Sequence, residues 1–152
     1  MIKLDGDSLT IDDVVKAATS REKVELSSAT LPRIRASRAL VERILEENRV
    51  VYGITTGVGE LANTFISPRQ SETLQRNLVR SHATNVGAPL SRETVRAVTL
   101  LRANALAKGF SGVREELIRF LIELLNRDVC AFIPCQGSVG ASPQTNLFTN
   151  GQ

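Results

Sequence analysis

Apolar residues recur at helical spacing along most of the chain, which predicts a mainly α-helical protein with only a few short strands near its start. Ile2–Leu4 and Val24–Leu26 are the short apolar runs that suit strands, with a turn at Asp5-Gly6-Asp7 after the first. Thr10 ahead of Ile11-Asp12-Asp13 supplies a capping hydroxyl and first-turn acids for a helix through Val14 to Ala18. From Pro32 to Glu47, Ile34, Ala36, Leu40, Val41, Ile44 and Leu45 repeat among charged residues, with proline in the first turn. Ser67-Pro68-Arg69-Gln70 reads as a capping box with proline at the first helical position. In the helix it opens, Leu74, Leu78 and His82 share one face, and Arg69, Glu72, Arg76 and Arg80 share the other. Ser91 is placed to cap a helix reaching about Lys108, apolar around most of its circumference. Ser111 is placed to cap a last helix from Val113 to Asn126. The apolar arc of this last helix (Val113, Leu117, Ile118, Leu121, Ile122, Leu124 and Leu125) is wider than a small bundle needs, so part of it is expected to meet another domain or subunit.

Composition narrows the class. The 152 residues are 42% hydrophobic and 23% charged, enough apolar material for a core and too much for a disordered tail. Aromatics are 4%, with no Trp and a single Tyr, so the core is aliphatic. Lys and Arg outnumber Asp and Glu by 19 to 16, spread along the chain, which is no nucleic-acid footprint. No apolar run approaches the roughly 18 residues of a membrane span. The opening Met1-Ile2-Lys3-Leu4-Asp5-Gly6 lacks a signal-peptide layout. Cys130 and Cys135 do not have C-x-x-C spacing, and the sole His lies far upstream. This fits two reduced thiols in a cytoplasmic protein, a tight local disulfide being the alternative.

Two segments break the helical pattern. Tyr52-Gly53-Ile54-Thr55-Thr56-Gly57-Val58-Gly59 holds three glycines in seven residues and must be a loop. Ile133-Pro134-Cys135-Gln136-Gly137-Ser138-Val139-Gly140-Ala141-Ser142-Pro143 is a Gly/Ser-rich turn after an apolar approach. It fits neither the G-x-S-x-G of serine hydrolases nor a phosphate loop ending in Gly-Lys-Ser/Thr. By its residues alone it reads as a structural loop. His82 shares an apolar face, and a lone His so placed is more often a hydrogen-bonded core residue than a catalyst. Tyr52 could simply anchor its loop, since an ordinary phenol, titrating near about pH 10, is a poor base at neutral pH.

Taken in order, Val51–Gly59, then Leu74-Gln75-Arg76-Asn77-Leu78-Val79-Arg80-Ser81-His82-Ala83, then Gly137-Ser138-Val139-Gly140-Ala141-Ser142 resemble the aromatic amino-acid ammonia-lyases. The likeness is collinear from Leu4-Asp5-Gly6 to Ser142, passing through Leu101-Arg102-Ala103-Asn104 and Ser111-Gly112-Val113-Arg114. It makes residues 1–142 a lyase-like N-terminal domain and leaves 143–152 as an unrelated tail. The resemblance implies a mainly helical fold, assembly as homo-tetramers and elimination of ammonia from a small-molecule aromatic amino acid. In this family the electrophile is a methylidene-imidazolone (MIO) group made from an internal Ala-Ser-Gly; no separate cofactor is bound. Tyr52 then resembles the base that takes the β-proton, carried on a mobile glycine loop. Gly59 and His82 correspond to substrate-binding positions, and Ala141 and Ser142 to the first two residues of the ring. The pair Ser81-His82 looks more like the histidine enzymes, which convert L-histidine to urocanate, than those acting on phenylalanine or tyrosine. Tyrosine lyases and aminomutases stay open.

Two departures stand out. Val58 occupies a position where the family usually has Phe. Pro143 stands where the ring needs Gly: its nitrogen is a tertiary amide with no hydrogen to lose, and attack on the Ala141 carbonyl would give it four substituents. The chain alone is therefore expected not to form the MIO group and to be inactive. The tail reads as that of a truncation, a frameshift or a cloning junction, three alternatives that stay open. The competing readings are a non-catalytic lyase-like module that self-associates or docks on an intact subunit, and a serine hydrolase using Ser138 or Ser142.

Overall fold

The computed structural model describes residues 1–137, the side chains of Pro68, Arg69 and Ser71 excepted. Within them lie five α-helices: α1 (Ile11–Thr19), α2 (Leu31–Glu46), α3 (Pro68–His82), α4 (Arg92–Ala107) and α5 (Glu115–Asn126). The strands are short: β1 (Ile2–Leu4), β2 (Val24–Leu26), β3 (Val86–Pro89) and β4 (Pro134–Gln136). The fold is mainly helical, and no helix among the described residues is long and apolar enough to cross a membrane. Chain contacts divide it into two compact units, Met1–Ala39 with Leu90–Ala131, and Leu40–Pro89 with residues 132–137.

Unit 1 is built on β1 and β2, which pair in parallel with Ile2 opposite Val24 and Leu4 opposite Leu26. α1 is the crossover that parallel strands require. The expected cap starts it: the Asp13 N–H donates to Thr10 Oγ1 at 3.2 Å, and the Thr10 N–H donates back to Asp13 Oδ2 at 3.1 Å. Ile2, Leu4, Ala17, Val24, Ile34, Leu100, Ala103, Leu106, Ile118, Leu121, Ile122 and Leu125 form one aliphatic core, as the lack of aromatics requires. The outer edge of β2 is closed by a side chain: Asn126 accepts the Val24 N–H at 2.9 Å and donates to the Val24 carbonyl at 2.8 Å.

A buried arginine organises this unit. Arg96, 2% exposed, donates from Nε to the Ala17 carbonyl at 3.0 Å and from Nη1 to the Leu125 carbonyl at 2.9 Å. Both carbonyls are in the last turns of their helices, and although Leu125 also accepts the Asp128 N–H at 3.2 Å, one guanidinium caps α1 and α5 together. Its charge faces two negative dipole ends and Asp128, whose Oδ1 is 3.1 Å from Nη1. Arg21 and Arg92 reach the other oxygen of Asp128 at 3.1 and 2.7 Å.

Unit 2 contains the end of α2, the loop that follows it, α3, and an antiparallel pair of β3 with β4. Val86 lies opposite Gln136 and Pro89 opposite Pro134, with a register shift between them. Ser67 and Gln70 close the expected box on α3, the Ser67 N–H and hydroxyl both donating to Gln70 Oε1, at 3.3 and 2.8 Å. Leu74, Leu78 and His82 are the half-buried stripe that their spacing predicts, and the other described side chains of α3 are exposed.

The structure corrects two expectations. Strands are not confined to the N-terminal region, because β3 and β4 form a second pair. α5 starts at Glu115 with Arg114 at its cap position, not at Val113 under a Ser111 cap. Gly112 explains the delay. Its φ of +62° is left-handed, and its N–H goes to Ser37 Oγ at 3.0 Å, so a helix cannot run through it. Cys130 and Cys135 are free thiols.

Candidate functional site

The described candidate site residues, Tyr52, Gly59 and His82, all fall in unit 2. The loop after α2 carries Tyr52, whose side chain is 63% exposed. Gly59 opens a short 3-10 turn, Gly59–Leu61, with φ at +61°. Its N–H donates to Tyr52 Oη at 3.4 Å, so these two predicted residues are brought together directly. Val58, at the position where Phe is expected, is extended and partly exposed ahead of this turn.

The loop between Val51 and Ile66 is closed on itself. The Gly57 N–H donates to the Thr64 carbonyl at 3.1 Å, and the Ile66 N–H to the Thr55 carbonyl at 2.9 Å. Thr55 and Thr56, 4% and 3% exposed, are buried polar residues in this frame. Sequence reasoning passed over them. The signal was present: two β-branched hydroxyls inside a glycine-rich turn bond their own backbone more readily than they continue a helix.

His82 ends α3, and the ordinary core reading is half right. The ring is half-buried, and its Nδ1 lies 2.9 Å from the Leu78 carbonyl and 3.0 Å from Ser81 Oγ. A carbonyl can only accept, so this arrangement puts a proton on Nδ1. Ser81 also donates to the Leu78 carbonyl, at 3.0 Å, so the Ser81-His82 pair fixes the ring against its own helix.

Three residues beyond His82, Asn85 meets the start of the Gly/Ser-rich segment. A Cβ built on Gly137 would lie 2.3 Å from Asn85 Oδ1, so only glycine permits this approach. The β3–β4 pairing therefore brings the residues that follow His82 against the entrance to the segment 138–143. Ala141 and Ser142, with Pro143, lie outside the described residues.

A sequence model of the aromatic amino acid lyases matches residues 9–145, so the chain belongs to the aromatic amino acid lyase family. It is 52% identical over 141 residues to histidine ammonia-lyase of Caldanaerobacter subterraneus subsp. tengcongensis, covering 93% of this chain and 28% of that protein. Among solved structures, histidine ammonia-lyase from Trypanosoma cruzi superposes with a TM-score of 0.86 at 40% identity, covering 96% of this chain and 29% of that one. Ergothionase from Treponema denticola, an ergothioneine-degrading enzyme, superposes with a TM-score of 0.91 at 28% identity, covering 98% of this chain and 30% of that one. The chain thus spans less than a third of the length of these relatives.

Proposed function

We propose that the chain is the N-terminal segment of an ammonia-lyase that eliminates ammonia from an aromatic amino acid, with L-histidine as its substrate. The observation that carries this reading is the grouping in one unit of Tyr52 on its Gly59 contact, His82 with a fixed ring, and Gly137 at the head of the Gly-Ser-Val-Gly-Ala-Ser segment. Tyr52 serves as the base for the β-proton, and Gly59 and His82 help to bind and position the substrate. The histidine ammonia-lyase relatives and the Ser81-His82 pair support histidine over other aromatic amino acids; the ergothionase likeness shows how far one framework can be adapted. Intact enzymes of this lineage would be cytoplasmic homo-oligomers, in which the positions of Ala141 and Ser142 belong to the electrophilic loop.

The residues present do not fit the MIO group. Ring closure forms a bond from the third residue's nitrogen to the Ala141 carbonyl carbon, and that nitrogen must give up its hydrogen as water leaves. Pro143 has none to give. The chain by itself is therefore inactive. Intact-mass measurement tests the chemistry: the purified chain keeps the mass of its sequence, whereas loss of two waters would mean that Ala141-Ser142-Pro143 matures. Ultraviolet detection of urocanate after incubation with L-histidine tests the activity, and sustained turnover would overturn the argument from Pro143.

A second reading, self-association or docking on an intact subunit, is favoured by α5. Ile118, Leu121, Ile122 and Leu125 are buried, but Leu117 and Phe120 remain 44% and 55% exposed on the same helix. Sedimentation of the purified chain reads this directly: a monomer at all concentrations that ignores full-length enzyme counts against it.

A further inference from the structure

Tyr52 makes one long side-chain hydrogen bond and is mostly in solvent, so its own contacts do not fix where its phenol sits. Its backbone is gripped on both sides instead. Before it, Thr55 Oγ1 accepts the Val51 N–H at 2.8 Å and donates to the Arg49 carbonyl. After it, Thr56 Oγ1 accepts the Gly53 N–H at 3.2 Å and donates to the Gly57 carbonyl at 2.9 Å. Each hydroxyl therefore uses its hydrogen and one lone pair on backbone groups that flank residue 52. The threonines are themselves anchored, because Thr56 and Phe65 form a β-bridge and the Thr55 carbonyl accepts from Ile66. A chain of bonds runs from this bridge, through two buried hydroxyls, to the residues on either side of Tyr52. We propose that Thr55 and Thr56 are positioning residues that set the placement of Tyr52, an inference that rests on the lyase reading for its catalytic meaning.

The pairing has a physical economy. A buried hydroxyl must be hydrogen-bonded, and a β-branched side chain holds its χ1, so threonine both demands and aims these bonds. Valine has the same shape and none of the bonds. Loop closure would then move Tyr52 together with residues 49–57, not as a lone side chain.

The composition provides the probe. The chain has one Tyr and no Trp, so intrinsic fluorescence reports Tyr52 alone. In the intact chain, time-resolved anisotropy decays with the tumbling of the folded body. T55V/T56V loses on the order of half its steady-state anisotropy as residues 49–53 become a loop moving on the nanosecond scale. T55S/T56S, which keeps both hydroxyls, retains the parent anisotropy. Parent anisotropy in a folded T55V/T56V chain overturns the proposal. A fall in T55S/T56S as deep as in the double valine also overturns it, since shape and not hydrogen bonding would then hold the tyrosine. Circular dichroism identifies a double valine that has not folded, in which case the single variants T55V and T56V are read in the same way. L-Histidine turnover does not enter this measurement, so the positioning claim and the lyase reading fail separately.

Discussion

In unit 1 the buried positions are aliphatic and continuous, from Leu4 and Ile34 through Leu100 and Ile118 to Leu125, with Arg96 as the one buried charge among the described residues. In unit 2 the buried described positions are few: Ile44, Ile133 and Pro134 beside Thr55, Thr56 and Gly57. Burial of apolar area contributes roughly 25 cal/mol per Å², so unit 1 carries most of what holds the chain folded. Unit 2 is held by local hydrogen bonds and carries the described candidate site residues. This division is physically reasonable, since elements that must accept and release a ligand are drawn from the less stable parts of a protein. It also means that stability and site geometry can be perturbed independently.

Arg96 is where that contrast breaks most easily. Replacing it with Met keeps much of the volume but strips the Ala17 carbonyl of this donor, leaves the Leu125 carbonyl to backbone N–H groups such as that of Asp128, and weakens the hold on the Asp128 carboxylate. Arg96→Met should cost about 3–5 kcal/mol of stability, the range for removing one partner of a buried, hydrogen-bonded ion pair. Urea unfolding followed by circular dichroism measures this. A cost no larger than that of an exposed arginine would mean that unit 1 is not organised on this residue.

A matched pair of truncations sharpens the comparison. Leu100 is fully buried in unit 1, and Leu78 is half-buried on α3 in unit 2. Leu100→Ala should cost about 3 kcal/mol through lost burial and the cavity left behind. Leu78→Ala should cost about 1 kcal/mol, because much of that side chain already meets water. Equal shifts in the urea midpoint would show that unit 2 contributes as much to folding as unit 1.

How much of this was legible in the chain follows the range of the interactions. The boxes at Thr10–Asp13 and Ser67–Gln70, and the Leu74–Leu78–His82 stripe, depend on residues three or four apart, and reading the sequence found them. The segments of the site were legible as motifs in a fixed order. Arg96 was not. It sits in the first turns of α4 among alternating polar and apolar residues, where an arginine normally faces solvent, and its partners lie 79 and 29 residues away. The β3–β4 pair was missed because Val86-Gly87-Ala88-Pro89 has no strand periodicity; its partner strand comes from the far side of α4 and α5. The start of α5 was misjudged because the hydroxyl that engages Gly112 belongs to Ser37, on a different element. The roles of Thr55 and Thr56 needed a three-dimensional turn before their hydroxyls had anything to hold.

Acid should distinguish the two units more gently. The carboxylates whose titration is resolvably lowered (Asp5, Asp13, Glu93 and Glu115) all belong to unit 1. Asp5 is the clearest. The Ser8 N–H and hydroxyl, with the Asp7 N–H, donate to its carboxylate at 2.7–2.8 Å and hold its pKa down from 3.8 to about 2. Glu115 is lowered by its bonds from Arg35 and Arg119, at 2.8 and 2.7 Å. A carboxyl that binds its proton less readily in the folded state than in the unfolded one stabilises the fold when ionised. For Asp5 that contribution is complete above about pH 4 and drains away as pH falls toward about 2. Asp5→Asn should thus lower the melting temperature slightly at neutral pH, where the lost bond from the Ser8 hydroxyl is felt, and flatten its decline between about pH 4 and pH 2. Thermal melts of both proteins across that window decide the matter. Parallel curves would remove Asp5 from the acid response and leave Asp13, Glu93 and Glu115 to account for it.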